Sequence, residues 1–279
     1  VRKPVMPWWG ALAIAAVLAV SLQAVLAVAA GVQAVSHGIA FGEGYRLAAF
    51  DPLNLALAQA AGCACAVWVG LRWREEGTLR TRLGIAPCPQ SVVALALVAG
   101  LAVQFPLAEV QNLTREVWPL PVEQQLRMRH LLTPDGPWNA LAIVFALVVV
   151  APVGEELVFR GVMLPGLERR YGIPVALVAS ALLFGVAHPE LGMGLTAAIA
   201  GLLLGAVALR TGSVLPTIAM HAGINSVPVL LPERLLPVPG LNTVSEEVYH
   251  IEPPLLLAAT VVAAGALLGL MWLTDDEPR

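Results

Sequence analysis

The stretch Gly154-Glu155-Glu156-Leu157-Val158-Phe159-Arg160-Gly161 lies inside an apolar run from Trp138 to Leu164. Each ionised side chain in such a run costs roughly 2.5 to 3.5 kcal/mol at mid-bilayer on insertion scales, so three of them require partners and point to a function. On a helix of about 3.6 residues per turn, Glu156 and Arg160 share one face, while Glu155 points about 100° away. The spacing predicts a division of labour. Arg160 neutralises Glu156 and fixes the helix, which leaves Glu155 as a carboxylate available for general-base work.

The rest of the chain agrees with a membrane setting. Of its 279 residues, 58% are hydrophobic and 13% charged, with a mean hydropathy of +0.79; soluble domains carry about 25% charge. The net charge of -3 provides no basic surface for nucleic acid. Cys63, Cys65 and Cys88 are odd in number and read as small apolar fillers rather than a disulfide framework. The expected fold class is all-α, a polytopic membrane protein of about eight transmembrane helices around an intramembrane polar cavity. The chain, 1–279, reads as one membrane domain with its motif core at 138–231.

Apolar runs long enough to span can be marked at Trp8 to Val35, Leu53 to Leu71 and Val92 to Val110. The first is longer than the apolar region of a cleaved signal peptide and reads as a membrane helix. A fourth, from about Trp138 to Leu167, carries the Glu155 motif and is expected to bend or break at Pro152. Ile173 to Ala187, Leu191 to Leu209, Val214 to Leu231 and Pro254 to Leu273 complete eight. Arg2 and Lys3, then Arg72, Arg74, Arg80 and Arg82, then Arg169 and Arg170, then Arg210, fall on alternate connections. By the positive-inside rule these are cytoplasmic, with both termini inside. The loop from Gln111 to Pro137 lies outside on this count, although it holds Arg115, Arg127 and Arg129. Its segment Val122 to Leu132 reads either as a surface amphipathic helix or as a polar connection. The Pro-rich stretch Leu231 to Pro254 is expected to be irregular.

Further polar groups stand in the later spans. Phe184-Gly185-Val186-Ala187-His188 sets a ring and an imidazole i,i+4 at the end of the fifth span, and His221-Ala222-Gly223-Ile224-Asn225 repeats the spacing in the seventh. A lone intramembrane His or Asn is often interhelical glue worth about 0.6 kcal/mol, and a Glu–Arg pair is often structural. Together, a carboxylate, two imidazoles and an amide supply a base, a second proton carrier and oxyanion donors. Those parts suit hydrolysis of a peptide bond. The G-x-S-x-G and His-Glu-x-x-His patterns are absent.

Glu155-Glu156-x-x-x-Arg160, Phe184-x-x-x-His188 and His221-x-x-x-Asn225, in this order on successive spans, resemble the motifs of the CPBP family of intramembrane proteases. That family includes the type II CAAX prenyl endopeptidases and the bacterial Abi or bacteriocin-processing proteins. The resemblance implies an eight-helix fold with a water-filled cavity open to the bilayer. It implies that Glu155 and His188 activate the water, that His221 and Asn225 form the oxyanion hole, and that Glu156 and Arg160 support them. It also favours a metal-independent glutamate protease. Glu155, His188 and His221 nevertheless have the composition of a His2Glu zinc site, so zinc stays open as a cofactor.

The predicted orientation puts His188 at the outer end of its span, which turns the cavity towards the outer half of the bilayer. The expected partners are the lipid bilayer and a protein or peptide substrate with a hydrophobic segment. High Ala, Gly and Arg use suggests a bacterial inner membrane, where relatives process sorting anchors, bacteriocins or peptide precursors. Two other classes fit the polar residues less fully. One is a non-catalytic peptide-binding or immunity scaffold; the other is a proton-coupled transporter, for which no inverted repeat is visible.

Overall fold

The computed structural model describes residues 5–275 apart from 75, 76, 123, 124, 126–128, 130–132, 189, 244 and 246. Among these the chain is helical and has no strand. The segment Val122 to Leu132, read above as a possible surface helix, falls largely outside the described residues. The chain begins with α1 (Trp8–His37), α2 (Phe41–Phe50) and α3 (Pro52–Gly70). Next come a short α4 (Leu79–Arg82) and then α5 (Gln90–Val117). The motif-bearing α6 runs 35 residues, from Pro137 to Tyr171. It is followed by α7 (Ile173–Val186), α8 (Leu191–Thr211), α9 (Leu215–Leu230) and α10 (Pro253–Leu273).

A helix therefore stands in each of the eight expected stretches. Six, α1, α3 with its extension to Trp73, α5, α6, α8 and α10, are long and apolar enough to cross a membrane. The other two, α7 and α9, have 14 and 16 residues. At 1.5 Å per residue they are short for a hydrocarbon core of about 30 Å, which makes the count of eight approximate. The outer surface is apolar, as an integral membrane protein requires: Val20, Val28 and Val32 of α1 and Leu257, Val261 and Leu268 of α10 are all exposed.

The α6 helix is the hub, lying against α3, α7, α8 and α9. One core unites α1, α3, α6, α7 and α8 through Ile14, Cys63, Phe159, Val162 and Phe184. A second unites α5, α8, α9 and α10 through Val92, Ala96, Leu204, Met220 and Leu270. Glycines set the closest approach within it. A Cβ on Gly100 of α5 would lie 2.0 Å from the Met220 carbonyl oxygen, and one on Gly223 of α9 would lie 2.7 Å from that of Leu97. Only hydrogen fits at this crossing, the small-residue packing expected where lipid supplies no hydrophobic drive between helices.

The basic connections gather at one end of the bundle. There the Trp8 amide donates to the Tyr171 hydroxyl at 3.0 Å, Arg169 donates to the Trp73 carbonyl, and Arg210 pairs with Asp275. The Val214 amide donates to the Gly84 carbonyl at 2.9 Å. At the other end Asn112 donates to the Gly240 carbonyl at 2.8 Å and Arg115 to that of Ser245 at 2.9 Å. Between Leu230 and Pro253 the described chain forms only turns and irregular segments, as its prolines require.

The bend expected at Pro152 takes a different form. Along α6, α-helical segments alternate with two π-helical ones, Phe145–Val150 and Leu157–Met163. Their wide turns close with Ala151 N–H donating to the Ala146 carbonyl and Leu164 N–H to that of Phe159. The residue after each closing donor is a proline, Pro152 or Pro165. Proline has no N–H and its ring clashes with the carbonyl four residues back. A π turn accommodates both problems without a break, and such turns are frequent at functional sites.

Candidate active site

The site is built on α6, whose Glu156 and Arg160 are buried and paired, Arg160 Nη1 to Glu156 Oε1 at 2.8 Å. Arg160 also donates through Nη2 to the Gly201 carbonyl on α8 at 3.1 Å and lies over the Phe184 ring of α7, 4.4 Å from its centroid. One guanidinium thus ties three helices together. Its charge is matched by a carboxylate, a carbonyl and a π face, the partners a buried cation needs.

Glu156 Oε1 has a second partner, His221 Nδ1 of α9, at 2.9 Å. A carboxylate can only accept, so Nδ1 carries the proton in this bond. The opposite ring atom, His221 Nε2, faces Glu155 Oε2 at 3.8 Å, too far for a direct hydrogen bond. Glu155 is only partly buried, and its Oε2 is shielded from solvent without a hydrogen-bond partner. The other oxygen, Oε1, accepts from Gln59 Nε2 of α3 at 2.8 Å.

His188 lies two residues beyond α7, half-buried, with Nδ1 2.8 Å from the Phe184 carbonyl oxygen. That carbonyl can only accept, so Nδ1 bears hydrogen and the neutral ring presents a lone pair at Nε2. Phe184 is the common neighbour of both imidazoles. Its ring meets those of His188 and His221 edge on, with centroids 5.1 and 5.7 Å away. Phe159 packs against it from α6 at 5.0 Å.

Asn225 is held differently. Its Nδ2 donates to the Leu147 carbonyl of α6 at 2.9 Å. The π turn explains why that carbonyl is open: in its register Leu147 O would meet the N–H of residue 152, which is proline. The Asn225 side chain supplies the missing donor. One amide hydrogen remains for other work.

The structure therefore brings Glu155, Glu156, Arg160, Phe184 and His221 into one contact network. His188 joins through Phe184, and Asn225 is anchored to the same long helix. Among the described residues, no three of His, Cys, Asp and Glu are grouped as ligands for one metal ion. No step below runs through a metal. Reading the motifs misses Gln59. Its signal was an amide isolated between Asn54 and Trp68 in an otherwise apolar helix.

Residues 137–227 match the family model described as type II CAAX prenyl endopeptidase Rce1-like. No curated protein and no solved structure matches the chain. The matched segment opens at the start of α6 and ends in α9, so it contains all three motifs and supports a CPBP-family membrane protease.

Proposed function

We propose that this intramembrane endopeptidase activates water with Glu155 and His188. The observation that carries the reading is Glu155 Oε2, a carboxylate oxygen in the middle of a membrane-spanning helix, shielded and unpartnered, opposite an imidazole nitrogen. With Oε1 engaged by Gln59, Oε2 and His188 Nε2 are the acceptors left for a water molecule. Glu155 takes one water proton as the oxygen bonds to the scissile carbonyl carbon. The tetrahedral oxyanion then collapses, the C–N bond breaks, and the same proton passes to the departing amine. His221 and Asn225 stabilise the oxyanion. For His221 this requires the doubly protonated ring, because Nδ1–H is already committed to Glu156 and only then does Nε2 bear hydrogen. Glu156 and Arg160 hold His221 and Phe184 in place. Zinc remains a test of the mechanism, read by chelator sensitivity.

The clustering of Arg72, Arg80, Arg82, Arg170 and Arg210 on connections at one end supports that end as cytoplasmic, with both termini inside. His188, past the far end of α7, then opens the site towards the outer leaflet. A substrate with a hydrophobic segment cut near its outer end fits this placement. Processing of a sorting anchor, bacteriocin or peptide precursor in a bacterial inner membrane is the proposed role. The test compares the protein termini of cells carrying the wild-type chain or Glu155→Gln, by mass spectrometry of membrane and secreted fractions. A precursor that accumulates uncut only in the variant is expected, with a loss of roughly 10²- to 10⁴-fold in cleavage. Unchanged termini alongside an unchanged phenotype would replace catalysis with peptide binding.

A further inference from the structure

Gln59 lies outside the family match and in a different core helix from every motif residue, yet among the described residues its amide is the group that hydrogen-bonds Glu155. Two local features aim it. Cys63, one turn along α3, accepts from the same Nε2 at 3.7 Å, so the NH2 rather than the amide oxygen is turned towards the carboxylate. Gly154, next to Glu155, lets the two helices meet: a Cβ there would lie 2.8 Å from Cys63 Sγ. The packing of Cys63 on Gly154 thus sets the distance across which Gln59 reaches Oε1. A carboxylate free to rotate offers two equivalent oxygens to a water. This one offers Oε2 alone, on the side of His221.

We propose that Gln59 is a positioning residue for Glu155, which fixes the carboxylate plane and decides which oxygen receives the proton of the attacking water. The proposal rests on Glu155 being the base.

The test uses the full chain in liposomes with Gln59→Met, which keeps the volume and removes the donor, and Gln59→Leu as a second variant. Infrared difference spectra against Glu155→Gln, recorded in the wild-type and in each Gln59 background, isolate the Glu155 carboxyl band. That band is expected to shift in both variants, as the loss of a hydrogen-bond donor to it requires, while the melting temperature stays at the wild-type value. Cleavage of a quenched-fluorescent peptide carrying an apolar Leu/Ala helix of about 20 residues is expected to lose roughly ten- to hundred-fold in kcat, with KM within about twofold. An unshifted band overturns the proposal. So does a fall in melting temperature with the band unmoved, which would make Gln59 a packing residue. A shifted band with a wild-type chain that does not cut the peptide upholds Gln59 as the partner of Glu155 and sinks the protease reading instead.

Discussion

His221 Nδ1 and Arg160 Nη1 converge on one oxygen, Glu156 Oε1, at 2.9 and 2.8 Å. Glu156 is therefore the joint between the imidazole of α9 and the guanidinium that ties α6 to α7 and α8. The adjacent glutamates differ in partners: Glu156 Oε1 accepts from an arginine and a histidine, Glu155 Oε1 from the Gln59 amide.

Removing the cation from this joint should be costly. Arg160→Met leaves Glu156 buried without its neutralising charge, for which breaking a buried pair costs about 3 to 5 kcal/mol. The variant is expected to melt well below wild type in detergent. Exchanging both members, Glu156→Gln with Arg160→Met, should recover part of that loss, since no lone charge remains. A double variant as unstable as the single would show that Arg160 acts mainly through the Gly201 carbonyl and the Phe184 ring.

The Asn225 tie can be separated from any part in chemistry. Asn225→Leu leaves the Leu147 carbonyl without a donor, at a cost of about 1 to 3 kcal/mol. Adding Pro152→Ala restores an N–H in the π register. Chemical denaturation should therefore find the double variant more stable than Asn225→Leu alone, while cleavage stays impaired in both if the free amide hydrogen serves the oxyanion. Recovery of stability and activity together would reduce Asn225 to a structural strut.

At the α5–α9 crossing, Gly100→Ala would place a Cβ 2.0 Å from the Met220 carbonyl, and backbone cannot yield cheaply. The helices must part, which moves His221, the next residue. Melting should fall by several degrees and cleavage should drop further than that loss explains. An alanine variant with wild-type cleavage would show that His221 does not depend on this contact.

A pH effect is expected at the far end of the bundle. His250 Nδ1 lies 2.6 Å from Glu109 Oε1 and its Nε2 3.2 Å from Glu116 Oε1, and Glu109 Oε2 accepts from the Ile251 amide at 3.0 Å. The hydrogen bond to Glu109, followed by that to Glu116, raises the imidazole above its ordinary value of 6.5. A raised value means that the clamp contributes fully below about pH 6.5 and fades as pH climbs through the folded-state value. Hydrogen exchange of the 232–251 segment, corrected for intrinsic rates, should show protection falling over that range. His250→Gln should flatten the dependence; an unchanged profile in that variant would assign it elsewhere.

The parts of the site that could be read from sequence are those where a charge breaks an apolar run. Glu156 and Arg160 announced their pairing by spacing alone, and the two imidazole motifs stood out for the same reason. Gln59 did not, because one amide in a helix has many possible partners and Glu155 is remote in sequence. The partner of Asn225 was invisible in another way: it is a backbone carbonyl, opened by a proline whose effect was expected to be a bend. The short length of α7 was legible in its apolar run, whereas α9, expected as a full span over Val214 to Leu231, has 16 residues; which glycines let helices touch depended on packing that no single helix encodes.

Each π turn of α6 holds one residue more than an α turn would, which rotates everything beyond it by about 100°. The segment Ala151–Glu156 lies between two such turns, so its rotational phase is decoupled from both ends of the span. A residue gained or lost inside either wide turn would reach the site directly, because Leu147, which anchors Asn225, lies in the first and Arg160 in the second. Chain length in this helix is thus pinned at the two places nearest the chemistry, and insertions or deletions are borne only outside them.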